Sequence, residues 1–411
     1  MNYSEQLIKK CEIMAKNEFD KLDEIALYNQ KKVLDAFKKN RVSAMHFNPS
    51  SGYGYDDIGR DTLNKVFSDV FHTEASIVSP LIANGTHALT LALFGLLRPG
   101  DVMVSIAGKP YDTLDDVING TGNGSLRDFG INYKQVELTD AGKFDYDSIR
   151  RVLESNRIKL VFIQRSKGYA WREALTVEEI GEVISFVKSI DSNIIAMVDN
   201  CYGEFVEKNE PTDVGADVVV GSLIKNIGGG LAPTGGYISG KNALIEQISY
   251  RLTAPSLGLE VGSYLNGYLY FYEGLFLAPS TVRNALKGNV LAGYVMQTFG
   301  YESMPAVGAM PTDIIKSIKF DTADEMVSFI QTIQCLSPVD SFVVPEPWDM
   351  PGYNHKVVMA AGTFVQGASL ELTADGAVRP PFVAYLQGGL TYEHYKLALM
   401  DIIEYFNKIK C

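Results

Sequence analysis

Residues 217–240 read DVVVGSLIKNIGGGLAPTGGYISG. An apolar strand (Val218, Val219, Val220) runs into a Gly/Ser turn and presents Lys225. The chain then passes through Gly228, Gly229 and Gly230 to a second short strand (Tyr237, Ile238) closed by Gly240. Surface lysines normally lie among other polar residues, whereas the charges nearest Lys225 are Asp217 behind and Lys241 ahead. Glycines let backbone or a bulky planar ligand come close to such an amine. Lys225 therefore reads either as a Schiff-base lysine, desolvated enough to hold a free amine near neutral pH, or as a lysine that snorkels out of a loop.

Working outward, apolar runs and helical patterns alternate between residues 75 and 240. The strand candidates are Ser76–Val78, Val102–Ile106, Ile131–Val136, Leu160–Gln164, Ile194–Asp199 and Val218–Val220, with Gly236–Ser239 as a seventh. Helix patterns fall between them at Thr86–Leu96, Leu114–Val117, Asp145–Glu154 and Thr176–Ile190. Short connections between alternating strands and helices predict an α/β fold with a mostly parallel seven-stranded sheet covered on both faces. After Lys241 come helices through about Phe299, with Pro279 and Gly288 as expected breaks. From Pro311 the pattern changes: strand-like IIKSIKF, a helix over Ala323–Leu336, short strands near Val357–Ala361, Ser369–Leu372 and Phe382–Leu386, and a closing helix over Tyr392–Lys408. That predicts a smaller α+β domain over 301–411, following a large domain over 61–300. Residues 1–60 are expected to form one or two amphipathic helices outside the main core and a Gly/Ser/Tyr-rich interface loop, HFNPSSGYGYDDIGR.

A formal charge of −12 argues against nucleic acid as a partner, because counterion release needs clustered Lys and Arg. The four cysteines (Cys11, Cys201, Cys335, Cys411) are scattered with no CxxC, which fits a reducing compartment and no structural metal. The N-terminal run MNYSEQLIKKCEIMAK has no signal-peptide core. The most apolar stretch, residues 257–282, has a longest charge-free run of 12 residues (Val261 to Tyr272), too short to span hydrocarbon. Its six aromatics between Tyr264 and Phe276 are expected at a subunit or domain interface. These features predict a cytoplasmic protein with no membrane role.

In an open parallel sheet, ligands sit beyond the carboxyl ends of the strands, and four candidate groups fall there. Asn84-Gly85-Thr86-His87-Ala88 opens a helix; its N–H groups and the Thr86 hydroxyl suit an anion, or the motif is a plain N-cap. Tyr111 follows a strand and AGKP, placed to stack on a flat ring or to close a turn. Asp199 ends the apolar run IIAMVDN, where a carboxylate wants a cationic partner or serves an Asx turn with Asn200. Ser222-x-x-Lys225 completes the set. Pyridoxal 5'-phosphate requires these groups: a lysine for the imine, a carboxylate to keep the pyridine nitrogen protonated, an aromatic against the ring, and a helix N-terminus with hydroxyls for the phosphate.

The order of these groups resembles the fold-type I pyridoxal-phosphate enzymes. More narrowly, GYGYDDIGRDTL, NGTHALTLALFGLLRPGD, KPYDTL, VDNCYGEF, GSLIKNIGGGLAPTGGYI and RPPFVAYLQGGLTY are similar to the methionine gamma-lyase-like, "aluminium-resistance" family, a branch of the cystathionine-type lyases. The resemblance spans about residues 40–408. It implies Lys225 as the Schiff-base lysine, Asp199 at the pyridine nitrogen, Tyr111 as the stacking tyrosine, and Gly85, Thr86 and Ser222 at the phosphate. It further implies Arg379 as the substrate-carboxylate arginine, unless it is an ordinary loop arginine, and Tyr55 reaching into a neighbouring subunit of a homodimer or homotetramer. The sequence departs from the better-known lyases at three places. Asp57 stands where they carry arginine, Gln164-Arg165-Ser166-Lys167-Gly168 replaces their asparagine-containing turn, and Ile224 precedes the lysine in place of a hydroxyl residue. The implied activity is carbon–sulfur elimination from an amino acid such as cystathionine, cysteine or methionine. Alternatives are a threonine-aldolase-like or aminotransferase reaction with the same cofactor, or a non-catalytic stress-related binding protein on the same scaffold.

Overall fold

Seven strands do form one sheet: β1 (Ala75–Ser79), β2 (Val102–Ser105), β3 (Asn132–Gln135), β4 (Ile158–Gln164), β5 (Ile195–Asp199), β6 (Val218–Ser222) and β7 (Gly236–Gly240), in a computed structural model that describes residues 2–350 and 355–410. The order is β1-β7-β6-β5-β4-β2-β3. The strands from β6 to β3 pair in parallel, while β7 runs antiparallel to both β6 and β1. Every residue of β5, β6 and β7 is buried. Continuous apolar strands of this kind need cover on both faces, which the intervening helices supply.

The helices are α1 (Tyr3–Met14), α2 (Lys16–Lys39), α3 (Ile58–Val70), α4 (Gly85–Leu96), α5 (Asp112–Asn119), α6 (Tyr146–Ser155), α7 (Val177–Ile190), α8 (Asn242–Leu252), α9 (Leu269–Thr298), α10 (Ala323–Cys335) and α11 (Tyr392–Lys410). The structure corrects two expectations here. First, α1 and α2 are part of the main core: Ile8, Cys11, Ala15, Leu22 and Val33 are buried within it, and Asn29 Nδ2 donates to the Phe205 and Glu207 carbonyls at 3.3 and 2.9 Å. Second, α9 is unbroken through Pro279 and Gly288. An interior proline costs about 3 kcal/mol. Burial of a side chain such as Phe271, Leu275, Val282, Leu286 or Leu291 contributes about 1.5–3 kcal/mol each, so burial wins. Gly288 is a contact point and not a break, since a Cβ there would lie 2.0 Å from the Tyr395 ring.

A second sheet, antiparallel throughout, comprises β8 (Glu302–Met304), β9 (Ile315–Phe320), β10 (Val357–Ala360), β11 (Thr373–Ala377) and β12 (Phe382–Gln387), ordered β10-β11-β12-β9-β8. The expected strand at Ser369–Leu372 is instead a loop. Its Glu371 carboxylate accepts the Phe364 and Val365 N–H groups at 2.9 and 3.0 Å, and the ladder begins only at Thr373. Ile318, Phe320, Ala384 and Leu386 turn toward α10. Alternate residues on the opposite face, Ile315, Val383 and Tyr385, meet Tyr169, Trp171 and Tyr202 from the first sheet's loops. Three of the six aromatics near α9, Tyr268, Phe271 and Tyr272, are buried in the chain's own core, whereas Tyr270 and Phe276 are exposed. No helix among the described residues is long and apolar enough to cross a membrane.

Candidate active site

Lys225 stands three residues beyond the end of β6, where a short 3-10 turn (Asn226–Gly228) closes. The glycines after it permit close backbone approach. A Cβ on Gly228 would lie 1.7 Å from the Leu223 carbonyl oxygen, and one on Gly229 (φ +60°) would lie 2.1 Å from the Gly274 carbonyl oxygen of α9. The turn is thus clamped against α9, and the lysine stem rises from a fixed base. Lys225 Nζ lies 3.6 Å from the centre of the Tyr202 ring. Tyr202 itself is held at φ +72°, a left-handed conformation that is costly for a bulky residue. Burial disfavours the Lys225 ammonium, yet Tyr202, Cys201 and Asp199 outweigh it and hold the pKa above the ordinary lysine value. The desolvation expected from the sequence is the largest single influence on this amine.

Asp199 closes β5 and is buried. Its Oδ1 accepts the Cys201 N–H at 3.1 Å, the Asx-type bond that the sequence offered as one reading of this residue. Burial pushes its carboxyl up, opposed by the Cys201 N–H and the Lys225 charge.

The third side of the site is the start of α4. Asn84 caps it, with Oδ1 accepting the His87 N–H at 2.8 Å, and the Gly85 and Thr86 N–H groups lie in the unpaired first turn. Thr86 Oγ1 lies 2.9 Å from the Tyr111 hydroxyl, and the Tyr111 N–H donates to Gln164 Oε1 at 2.9 Å. Burial and the Asp199 charge push the Tyr111 phenol upward. A Cβ on Gly85 would meet Ser222 Cβ at 3.3 Å and Cys201 Sγ at 3.6 Å. Ser222 Oγ is buried with no hydrogen-bond partner among the described residues. An unpaired hydroxyl beside an unpaired helix turn is a cradle for phosphate-type oxygens. The donor set therefore fits pyridoxal 5'-phosphate.

Six of the eight residues expected from the sequence, Gly85, Thr86, Tyr111, Asp199, Ser222 and Lys225, gather between the strand ends and the start of α4, linked through Cys201 and Tyr202. Arg379 is exposed in the turn between β11 and β12, and its charge is felt at Tyr385. Tyr55 lies outside the cluster, 59% exposed and stacked on Tyr53 at 5.5 Å. Arg60 is no substitute for the arginine absent at position 57, because its Nη1 is spent on the Gly54 and Gly262 carbonyls at 2.9 and 3.0 Å. Sequence reasoning missed Tyr202, Gln164 and Asp375. The first two adjoin Asp199 and the end of β4, where strand-end position was the available signal; Asp375 sits in TADGAVRPP, which reads as turn chemistry.

A parallel sheet whose carboxyl edge gathers a lysine, a buried carboxylate and an uncovered helix N-terminus, with a small antiparallel sheet closing over it, is the architecture of fold-type I pyridoxal-phosphate-dependent proteins. Within that class the chain belongs to the methionine gamma-lyase family, which it matches over residues 4–407. It is 52% identical to a Listeria innocua protein provisionally named a cystathionine beta-lyase involved in aluminum resistance, covering 98% of this chain and 99% of that one with a TM-score of 0.96. It is 50% identical to a carbon-sulfur lyase involved in aluminum resistance from Clostridium novyi NT, covering 99% and 96% of the two chains with a TM-score of 0.94. The uncharacterized protein YnbB of Bacillus subtilis (strain 168) is 51% identical over 386 residues, 93% of this chain and 91% of that protein.

Proposed function

We propose that the chain is a pyridoxal-phosphate-dependent carbon–sulfur lyase that eliminates a thiol from a sulfur-containing amino acid. The observation that carries this reading is that Lys225 and the buried Asp199 both adjoin the Cys201–Tyr202 turn, Lys225 Nζ 3.6 Å from the Tyr202 ring centre and Asp199 Oδ1 accepting the Cys201 N–H, with the unpaired Ser222 hydroxyl and the start of α4 beside them. When bound, the cofactor supplies an electron-withdrawing ring conjugated to the amino acid's nitrogen. Lys225 Nζ accepts the proton lost from the substrate α-carbon. The Asp199 carboxylate holds a proton at the ring nitrogen, a bond strengthened by the water-poor site. Thr86, Ser222 and the first N–H groups of α4 would hold the phosphate, and Tyr111 would cover the ring. Arg379 receives the substrate carboxylate in its planar fork. The exposed aromatics Tyr53, Tyr55 and Tyr270 support a homo-oligomer in which Tyr55 enters a neighbouring site.

The test is a visible absorption spectrum of purified protein with added pyridoxal 5'-phosphate, before and after L-cystathionine, L-cysteine or L-methionine, with thiol and ammonia measured. Wild type should show the band of a lysine-bound cofactor that changes on substrate addition, and Lys225→Ala should lack the starting band. An aldehyde with glycine, or reversible amino-group exchange without thiol, would replace this reading with an aldolase or aminotransferase.

A further inference from the structure

The second sheet brings to the neighbourhood of Lys225 a carboxyl group that the chemistry so far leaves without a task. β11 and β12 pair Asp375 directly with Tyr385. Alternation along these strands puts Asp375, Val383, Tyr385 and Gln387 on the face that meets Tyr169, Trp171 and Tyr202. Tyr202 is the ring that carries Lys225 Nζ. Asp375 and Lys225 therefore approach the same aromatic cluster, Tyr169, Tyr202 and Tyr385, from the two different sheets. Gln387 Nε2 donates to Asp375 Oδ2 at 3.3 Å, and the Tyr169 hydroxyl bonds the same carboxyl. No salt bridge joins Asp375 to a cation among the described residues; the Lys225 charge acts on it, and Arg379 acts on its neighbour Tyr385. Burial lifts its carboxyl to about 7, against the pull of Lys225, Tyr169 and Gln387.

Carbon–sulfur cleavage expels a thiolate, and an alkanethiolate is basic enough (thiol pKa about 8.5 or above) to need a proton as it leaves. Several acids border the site; the Tyr202 phenol faces Lys225 and the Tyr169 phenol is bonded to Asp375 itself, which leaves Tyr111 and Asp375 to compare. The Tyr111 phenol is engaged with Thr86 and made a weaker acid by burial and by Asp199. The carboxyl on β11 is the stronger donor near neutral pH, where acid catalysis is most effective. We propose that Asp375 is a catalytic acid of this site, protonating the sulfur that departs from the substrate; this rests on the lyase reading. In β-elimination, Lys225 Nζ takes the α-proton and the C–H electron pair becomes the Cα–Cβ π bond. The Cβ–S pair leaves with sulfur, which takes the Asp375 proton. The Lys225 ammonium then returns a proton to the Asp375 carboxylate, so both groups are restored without an oxidant or reductant.

The experiment compares thioethers of cysteine and homocysteine carrying either an ethyl or a nitrophenyl group on sulfur, because a nitrophenyl thiolate leaves without protonation. Asp375→Asn should slow release of ethanethiol about 10²–10⁴-fold and slow nitrophenyl thiolate release less than about 10-fold, with Asp375→Glu recovering part of the loss. Equal slowing of both leaving groups, or slowing of neither, overturns the proposal. The wild-type holoenzyme gives a second measure that needs no variant: the ethyl-to-nitrophenyl rate ratio should fall as pH rises through neutrality, and a flat ratio overturns the proposal as well. If wild type with bound cofactor releases thiol from none of the four thioethers, it is the lyase reading itself that falls.

Discussion

Gly274→Ala sets two large effects against each other at the base of the lysine turn. Replacing an interior helical glycine by alanine ordinarily stabilises a helix by about 1 kcal/mol. Here the new methyl would sit 2.2 Å from the Gly228 carbonyl oxygen and 3.0 Å from its carbon. Overpacking costs about 1–3 kcal/mol, and the upper end applies because a backbone neighbour cannot rotate away. The net expectation is a loss of about 2 kcal/mol, roughly a 30-fold fall in the folded-to-unfolded ratio. Relief of the contact must push the Gly228–Gly229 turn off α9 and carry Lys225 with it. A displacement of about 1 Å is worth about 10²-fold in rate. Urea unfolding followed by circular dichroism measures the first effect; cofactor uptake by visible absorbance and thiol release measure the second. A Gly274→Ala chain at or above the wild-type midpoint, with unchanged uptake and turnover, would refute the claim that the two backbones are in tight contact.

Asp199→Asn removes a charge-assisted bond worth about 1.5–3 kcal/mol, so turnover should fall about 10- to 150-fold, read by steady-state thiol release. Glu204 is buried, with Oε1 accepting the Tyr237 hydroxyl at 2.9 Å, and burial pushes its carboxyl from 4.5 up to about 8. Between those values the folded chain holds a proton that the unfolded chain releases, so stability falls as pH rises from about 4.5 to about 8. Glu204→Gln should remove that part of the slope in denaturation midpoints taken across the range. Lys167 Nζ lies 3.4 Å from Asp313 Oδ1 with both side chains sealed from solvent, so Asp313→Ala, which strands the lysine charge, should destabilise by about 3–5 kcal/mol in urea denaturation. Lys167→Met in that background should recover much of the loss.

The first sheet was legible because parallel strands buried on both faces read as uninterrupted apolar runs, and β4, β5 and β6 do. The residues at their ends followed from the rule that ligands gather there. What stayed hidden depended on long-range contact. Pro279 and Gly288 look like breaks until the apolar surroundings of α9 and the ring of Tyr395 are known. Helices α1 and α2 look peripheral because their polar faces dominate the sequence, while narrow stripes through Ile8, Cys11, Leu22 and Val33 carry the packing. Asp375 was invisible because its face is set by pairing with Tyr385, which no local pattern encodes.

The meeting of α1 with α11 has a consequence for how the chain is made. The Tyr392 hydroxyl and Lys396 Nζ both bond Glu12 Oε1, at 2.9 and 2.7 Å, across nearly four hundred residues. As the chain is synthesised, Leu7, Ile8 and Cys11 can be covered first by α9 and completely only once α11 has been made. Closure of so long a loop is slow. The last helix therefore seals a seam that α9 has opened, so that α1 is locked in place only when the chain is whole.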